Sequence, residues 1–178
     1  LAVCGAIIQN NLILYNFADF HGGGLWACNG RVENNTLYGN RAYNYYPVAI
    51  TARGGAAAFC SGPFLNNILW ANTAQSESQT TFSLQLKYCC IQDWTEGGEG
   101  IITSDPQFVR PNSDDFRLVH TSPCIDSGTT VAGLATDFHG DPRPQGSAFD
   151  IGADEWDGLI LPTSSLTPTR TGTVTPTS

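Results

Sequence analysis

Apolar and polar residues alternate in the first part of the chain, in a pattern that returns along the sequence. The segments 4–16, 28–40 and 60–72 all read as a cysteine, five residues, an asparagine pair, four residues and a further asparagine. Within a segment, Cys28, Gly30 and Val32 share one face, which is the period of a β-strand and not of a helix. Glycine runs and asparagine pairs interrupt these short strands. The pattern therefore predicts turns of a β-solenoid, with equivalent residues stacked in columns about 4.8 Å apart.

The recurring positions have distinct predicted roles in such a stack. Ile13, Leu37 and Leu69 form an apolar column that fills the interior, and the repeated cysteines form a second column of buried thiols. Asparagine tolerates the left-handed backbone of a sharp bend, and stacked amides can hydrogen-bond from turn to turn. We therefore predict an asparagine ladder, made of Asn10, Asn11, Asn34, Asn35, Asn66 and Asn67.

The second repeat contains eight additional residues between positions 40 and 54, and these include Tyr43, Tyr45 and Tyr46. Insertions in solenoids form loops on one face, which is often the binding face. Trp70 belongs to an outward column that can extend the same surface or be covered by the C-terminal part of the chain. The predicted ligand-binding residues are Tyr43, Tyr45, Tyr46 and Trp70, with packing inside the protein as the alternative.

An ordered series of motifs occupies the C-terminal half of the chain, at 87–92, 105–109, 116–118, 121–128, 137–144 and 150–155. The repeats resemble the right-handed parallel β-helix (pectin-lyase-like) superfamily, and the later motifs resemble the choice-of-anchor Q domain of bacterial surface proteins. This resemblance implies an all-β right-handed parallel β-helix, export to the cell surface or beyond, and attachment by varied anchors. It implies no single activity and supplies no catalytic residues.

Three regions follow from the repeats and the motifs. Residues 1–110 are predicted to form the β-helix rungs, 111–157 a C-terminal cap module, and 158–178 a disordered linker rich in Thr, Ser and Pro. Arg143 is expected to pair with a carboxylate of the Asp137–Asp154 region and hold the module against the last rung. Because the first rung exposes strand edges, further rungs are expected before Leu1 in the parent chain.

Charge and cysteine content narrow the classes of partner and site. A net charge of −8 with scattered Lys and Arg argues against nucleic-acid binding. No apolar run in the sequence approaches the length of about 20 residues that a helix needs to cross a bilayer. Export permits disulfides, and Cys90–Cys124 is the preferred pairing, with Cys89 as the substitute for Cys90. No cofactor is predicted. Calcium at Asp93, Glu96 and Glu99 is the less favoured alternative to a structural role for these acids.

Two functions remain open on the sequence alone. The favoured one is a non-catalytic extracellular module that binds or displays, with a polysaccharide or cell-envelope glycan as partner. The alternative is the C-terminal part of a polysaccharide lyase or glycoside hydrolase whose active rungs lie upstream. No column of charged residues forms among these repeats, since Glu33 aligns with Gln9 and Leu65, so no catalytic residue is predicted. Upstream rungs and a downstream domain or anchor are the expected partners within the parent chain.

Overall fold

Short strands from successive repeats pair side by side in parallel, so the protein is all-β with parallel sheets. The computed structural model describes residues 3–45, 50–81 and 85–158. The linker predicted for 158–178 therefore lies outside the described residues apart from its first position. The strands are β1 Ile8–Gln9, β2 Leu12–Leu14, β3 Phe17–Ala18, β4 Leu25–Trp26, β5 Val32–Glu33, β6 Thr36–Tyr38, β7 Arg41–Ala42, β8 Ala57–Ala58, β9 Pro63–Leu65, β10 Ile68–Trp70, β11 Thr73–Ala74, β12 Gln85–Lys87, β13 Cys90–Ile91, β14 Phe108–Arg110 and β15 Asp115–Leu118.

Each of the three predicted repeats contributes one strand to each of three sheets. The first sheet has the order β1-β5-β9-β12, the second β13-β10-β6-β2 and the third β11-β7-β3. The register places Ile13 beside Leu37 and Leu37 beside Leu69, and all three side chains are buried. The predicted apolar column is thus confirmed. Burial of these aliphatic side chains stabilises the stack because it removes their surface from water.

The second asparagine of each pair forms the predicted ladder, which is exposed at Asn11 and fully buried at Asn35 and Asn67. Both the backbone nitrogen and Nδ2 of Asn11 donate to Oδ1 of Asn35, at 3.0 and 2.9 Å. Asn35 donates in the same way to Oδ1 of Asn67, at 3.0 Å for each nitrogen. The chain of amides ends where the Asn67 backbone nitrogen meets the Cys89 sulfur at 3.4 Å. These bonds satisfy amide groups that would be costly to bury alone.

The asparagine that closes each repeat forms another ladder, which the sequence analysis did not predict. The backbone nitrogen and Nδ2 of Asn16 donate to Oδ1 of Asn40, at 3.0 and 2.9 Å. Asn40 donates to Oδ1 of Asn72, at 2.9 Å from each nitrogen. The two ladders flank β2, β6 and β10, and they fix the bends at both ends of that sheet's strands.

The first asparagine of each pair has the predicted left-handed backbone, with φ of 50° at Asn10, 51° at Asn34 and 54° at Asn66. Its side chain holds the C-terminal segment, residues 105–158, and one step of the predicted ladder also runs here, where Asn66 Nδ2 donates to Asn34 Oδ1 at 3.2 Å. Asn10 Nδ2 donates to the Thr136 carbonyl at 2.6 Å, and Asn66 Nδ2 donates to the Thr129 carbonyl at 2.7 Å. The C-terminal segment therefore lies across all three repeats and not against the last one alone.

Apolar contacts hold the same segment over the outer face of the second sheet. A 3-10 helix at Pro111–Ser113 joins β14 to β15, which pair antiparallel. The rings of Phe108 and Phe116 lie 5.9 and 4.9 Å from the ring of Tyr38, measured between centroids. Buried Ile151 and Leu118 pack with Ile68 in one cluster. The sheet thus has a buried face on both sides, as parallel sheets require.

A buried ion pair organises the end of the C-terminal segment. Nη1 of Arg143 lies 2.7 Å from Oε2 of Glu155, and both side chains are almost completely buried. Nη2 of Arg143 donates to the Gly152 carbonyl at 2.8 Å. Asp137 accepts hydrogen bonds from the backbone nitrogens of His139, at 2.8 Å, and Glu155, at 2.9 Å. The partner of Arg143 is therefore Glu155, which lies just beyond the region expected from the sequence.

Burial raises the pKa of the Asp150 carboxyl to about 7 and that of the Asp154 carboxyl to about 7 as well. Between the unfolded and folded pKa values the folded protein holds protons that the unfolded chain releases, so stability falls as the pH rises through this range. We expect the two carboxyls together to lower the free energy of unfolding by about 5 kcal/mol between about pH 5 and about pH 8. Urea unfolding at a series of pH values measures this decrease.

The variant Asp154→Asn isolates one of the two groups. An asparagine keeps an oxygen for the hydrogen bond from the Leu118 backbone nitrogen, at 2.8 Å in the native protein, but does not titrate. Its pH dependence is expected to be about half that of the native protein, whereas Asp19→Asn, at an exposed position, should leave it unchanged. Stability that rises between pH 5 and pH 8 would contradict the assignment.

Candidate binding surface

The insertion in the second repeat is held at both ends by side-chain amides, those of Gln75 and Asn44. Oε1 of Gln75 accepts hydrogen bonds from the backbone nitrogens of Asn44 and Ala52, at 3.3 and 2.9 Å. Nδ2 of Asn44 donates to the Ile50 carbonyl at 2.8 Å, and the Asn44 side chain is buried. The tyrosines on either side of Asn44 therefore project from a backbone that is held in place.

Two of the predicted tyrosines form a row with a phenylalanine of the first repeat. The ring centroids of Tyr43 and Tyr45 are 4.6 Å apart, and those of Tyr45 and Phe17 are 5.7 Å apart. Tyr45 is 62% exposed and Phe17 is 49% exposed. The Arg41 guanidinium carbon lies 5.1 Å from the centroid of Tyr43, at one end of the row. We call Tyr43, Tyr45 and Phe17 the aromatic row. Tyr46, also predicted to bind, lies outside the described residues.

A groove of about 670 Å³ continues from Phe17. Its apolar lining includes Phe20, Trp26 and Ile50, which are 41, 40 and 51% exposed, and Asp19 and His21 contribute polar groups. Burial lowers the pKa of His21, and nearby Arg53 acts in the same direction. His21 Nδ1 accepts the backbone nitrogen of Arg53 at 3.2 Å, which fixes the neutral ring's orientation. We call this feature the aromatic groove.

The fourth predicted ligand residue is not part of this surface. Trp70 is half-buried and packs against the cluster that contains Ile68 and Leu118, under the C-terminal segment. The structure therefore brings together Tyr43 and Tyr45 but not Trp70. The sequence analysis missed Phe17, Phe20 and Trp26, because the repeat alignment marks insertions and not the residues that an insertion meets. Two features of the sequence could have predicted them: the run of three glycines at 22–24 and the position of Phe17 directly after Asn16.

The acidic residues considered for calcium binding do not converge. Oε2 of Glu99 pairs with Nζ of Lys87 at 2.7 Å, and Oε1 accepts the Tyr88 hydroxyl at 3.0 Å. Both contacts lower the pKa of Glu99, the Lys87 hydrogen bond most strongly. Across residues 3–45, 50–81 and 85–158, no group of three or more His, Cys, Asp or Glu side chains is placed to hold a metal ion.

Among strands β1, β5 and β9 of the first sheet, Glu33 is the one acidic residue, and its carboxylate is held by neighbouring side chains. Its side chain is buried, Oε2 accepts Nε2 of Gln9 at 2.7 Å, and Oε1 lies 3.4 Å from Nη1 of Arg31. A glycosidase requires two carboxylates facing one sugar-sized space. Glu33 instead contacts its own neighbours, Gln9 and Arg31.

The sequence matches no known family model, and no curated protein matches it. The parallel sheets and the buried asparagine ladder are compatible with a β-helix. Within residues 3–45, 50–81 and 85–158, no helix is long and apolar enough to span a membrane.

Proposed function

We propose that this chain is part of a right-handed parallel β-helix of an exported bacterial protein and that it binds glycans without cleaving them. The observation that carries the binding proposal is the exposed aromatic surface formed by the aromatic row and the aromatic groove. Sugar rings present flat C–H faces that pack against aromatic rings, while their hydroxyl groups hydrogen-bond to polar residues at the rim. The parallel strand pairing and the asparagine ladders support the β-helix.

The scaffold suits recognition of an extended ligand. Phe17 lies on β3, Trp26 on β4 and the tyrosines on the pinned insertion, so the rings are positioned by backbone that is hydrogen-bonded to the rest of the stack. Pre-organised rings lose little conformational freedom on binding, which favours affinity. A surface of this kind matches a polysaccharide chain that runs from the row into the groove.

The net charge of the chain favours one class of polysaccharide over another. The chain carries 16 acidic against 8 basic residues, and the groove lining includes Asp19 but no lysine or arginine. The net negative charge of the chain repels an acidic polysaccharide overall, with Arg41 at one end of the aromatic row as a local positive group, and the repulsion weakens as salt is added. Neutral cell-envelope or plant glycans are therefore the proposed ligands.

The test is binding of the chain to an array of neutral and acidic polysaccharides, followed by affinity electrophoresis on those retained. The double variant Phe17→Ala/Tyr45→Ala is expected to weaken binding about tenfold or more, since each exposed ring contributes of the order of 1 kcal/mol. Phe138→Ala is the matched control, because Phe138 is 46% exposed but lies in the C-terminal segment. It should bind as the native chain does.

Three outcomes speak against the proposal. If the chain binds no glycan, the proposal is wrong. If Phe138→Ala lowers the glycan affinity as much as the double variant does, the binding site does not lie on the aromatic row. Release of reducing or unsaturated sugars from the bound polysaccharide would instead support the lyase or hydrolase alternative. The same samples, analysed for soluble oligosaccharides, measure the third outcome.

A further inference from the structure

Two buried cysteines meet where the C-terminal segment packs on the repeats. Cys90 lies on β13, Cys124 lies in the C-terminal segment, and neither is exposed to solvent. Both belong to the apolar cluster that contains Ile68 and Ile151. All six cysteines are free thiols in the structure. The Cys90 thiol donates to the Ser104 carbonyl at 3.4 Å, and its neighbour Cys124 and burial both raise the pKa of Cys90.

The adjacent cysteine faces the opposite side of the strand. Sγ of Cys89 is directed to the interior, where it donates to the Lys87 carbonyl at 3.2 Å and receives the Asn67 backbone nitrogen at 3.4 Å. Burial raises the pKa of Cys89 to about 12. Successive residues of a strand point to opposite faces, so only Cys90 is directed at the C-terminal segment. The structure thereby distinguishes between the two cysteines that the sequence left open.

The repeat cysteines are less suited to a bridge. Cys28 and Cys60 occupy equivalent positions in neighbouring repeats, where stacked residues are about 4.8 Å apart along the stack and a disulfide prefers Cβ atoms about 3.8 Å apart. Each thiol donates to a backbone carbonyl, Cys28 to Trp26 at 3.6 Å and Cys60 to Ala58 at 3.5 Å, so the stacking distance is what separates this pair from Cys90 and Cys124. Their packing matches a column of reduced thiols.

We propose that Cys90 and Cys124 form a disulfide that fastens the C-terminal segment to the repeats. Each thiol gives up a proton, the two sulfurs form one S–S bond, and the two electrons pass to a small disulfide oxidant, which leaves as two thiols. Because both sulfurs are buried once the segment docks, the exchange takes place while the segment is still undocked. The bond closes the loop that runs from β13 through the β14–β15 hairpin.

The consequence of the bond is a more stable attachment of the segment. A cross-link between distant residues reduces the freedom of the unfolded chain, and a loop of this size is expected to raise the melting temperature by about 10 °C. The glycan surface lies on other strands, so bridge formation and glycan binding can be tested separately.

The test is refolding of the full 178-residue chain in a buffer of reduced and oxidised glutathione, followed by denaturation, alkylation and mass spectrometry. We expect four alkylated cysteines and one disulfide-linked peptide pair that contains Cys124. The variant Cys89→Ala should keep the bridge and the higher melting temperature, whereas Cys90→Ala should lose both. The melting temperature of the native chain should also fall when a reductant is added.

Six alkylated cysteines in the folded, oxidised native chain would overturn the proposal. So would a bridge that persists in Cys90→Ala, since it would involve Cys89, or a linked pair that contains Cys28 and Cys60. The native chain alone decides the first and third outcomes, so they do not depend on the folding of any variant.

Discussion

Replacement of Arg143 with methionine is expected to reduce the free energy of unfolding by about 3–5 kcal/mol. Methionine fills much of the same volume but leaves Glu155 buried without its cation. Glu155 is 2% exposed, and its Oε2 lies 2.7 Å from Nη1 of Arg143. The carbonyls of Gly152 and Asp150, at 2.8 and 3.2 Å, lose their donors as well. Urea unfolding followed by tryptophan fluorescence measures the change.

Two further variants separate the charge from the packing. Arg110→Met breaks an ion pair of 3.5 Å whose arginine is 59% exposed, and exposed pairs contribute about 0–1 kcal/mol. The double variant Arg143→Met/Glu155→Gln removes the unpaired charge and should recover part of the loss. A loss no greater for Arg143 than for Arg110 would show that the buried pair does not hold the C-terminal segment.

Replacement of Asn35 with alanine is expected to cost about 3–5 kcal/mol, because several buried groups lose partners at once. Nδ2 of Asn35 donates to the carbonyls of Ile8 and Glu33, at 2.8 and 3.0 Å, and to Oδ1 of Asn67. Its Oδ1 accepts two bonds from Asn11. No water can replace these contacts without opening the interior, since Asn35 is fully buried.

The ladder supplies its own control. Asn11 occupies the equivalent position in the first repeat but is exposed, so Asn11→Ala should cost about 1 kcal/mol or less. Both variants are measured by urea unfolding under one set of conditions. Equal costs for Asn11→Ala and Asn35→Ala would indicate that the amides contribute through their local bends and not through a buried network.

The features of the fold that repeat in sequence were the predictable ones. A column such as Ile13, Leu37 and Leu69 is visible because in-register stacking demands the same kind of residue at each level. The left-handed bend at Asn34 was predictable for the same reason, since few residue types tolerate that backbone. The ladder of Asn16, Asn40 and Asn72 is equally periodic in sequence. Its role depends on geometry that a sequence does not contain, because the backbone nitrogen and Nδ2 of Asn40 both point at Oδ1 of Asn72.

The position of the C-terminal segment was not predictable in this way. Its contacts with the repeats join residues far apart in sequence, such as Asn10 with Thr136, and they use backbone carbonyls, which any residue supplies. The same reason explains the partner of Arg143, where burial and not sequence spacing selects Glu155. The aromatic row also depends on a contact between repeats, from Phe17 to Tyr45, that a pattern within one repeat cannot reveal.

The central structural claim is that the repeats and the C-terminal segment fold as one unit, joined along the column of Asn10, Asn34 and Asn66. Amide hydrogen exchange of the native chain, followed by NMR, tests this claim most directly. The backbone nitrogens of Leu118 and Ile151, which are bonded to Asp154 and Cys124, should exchange within about tenfold of those of Asn35 and Asn40. Exchange at Leu118 and Ile151 that is many orders of magnitude faster would contradict it, because the segment would then open independently of the repeats.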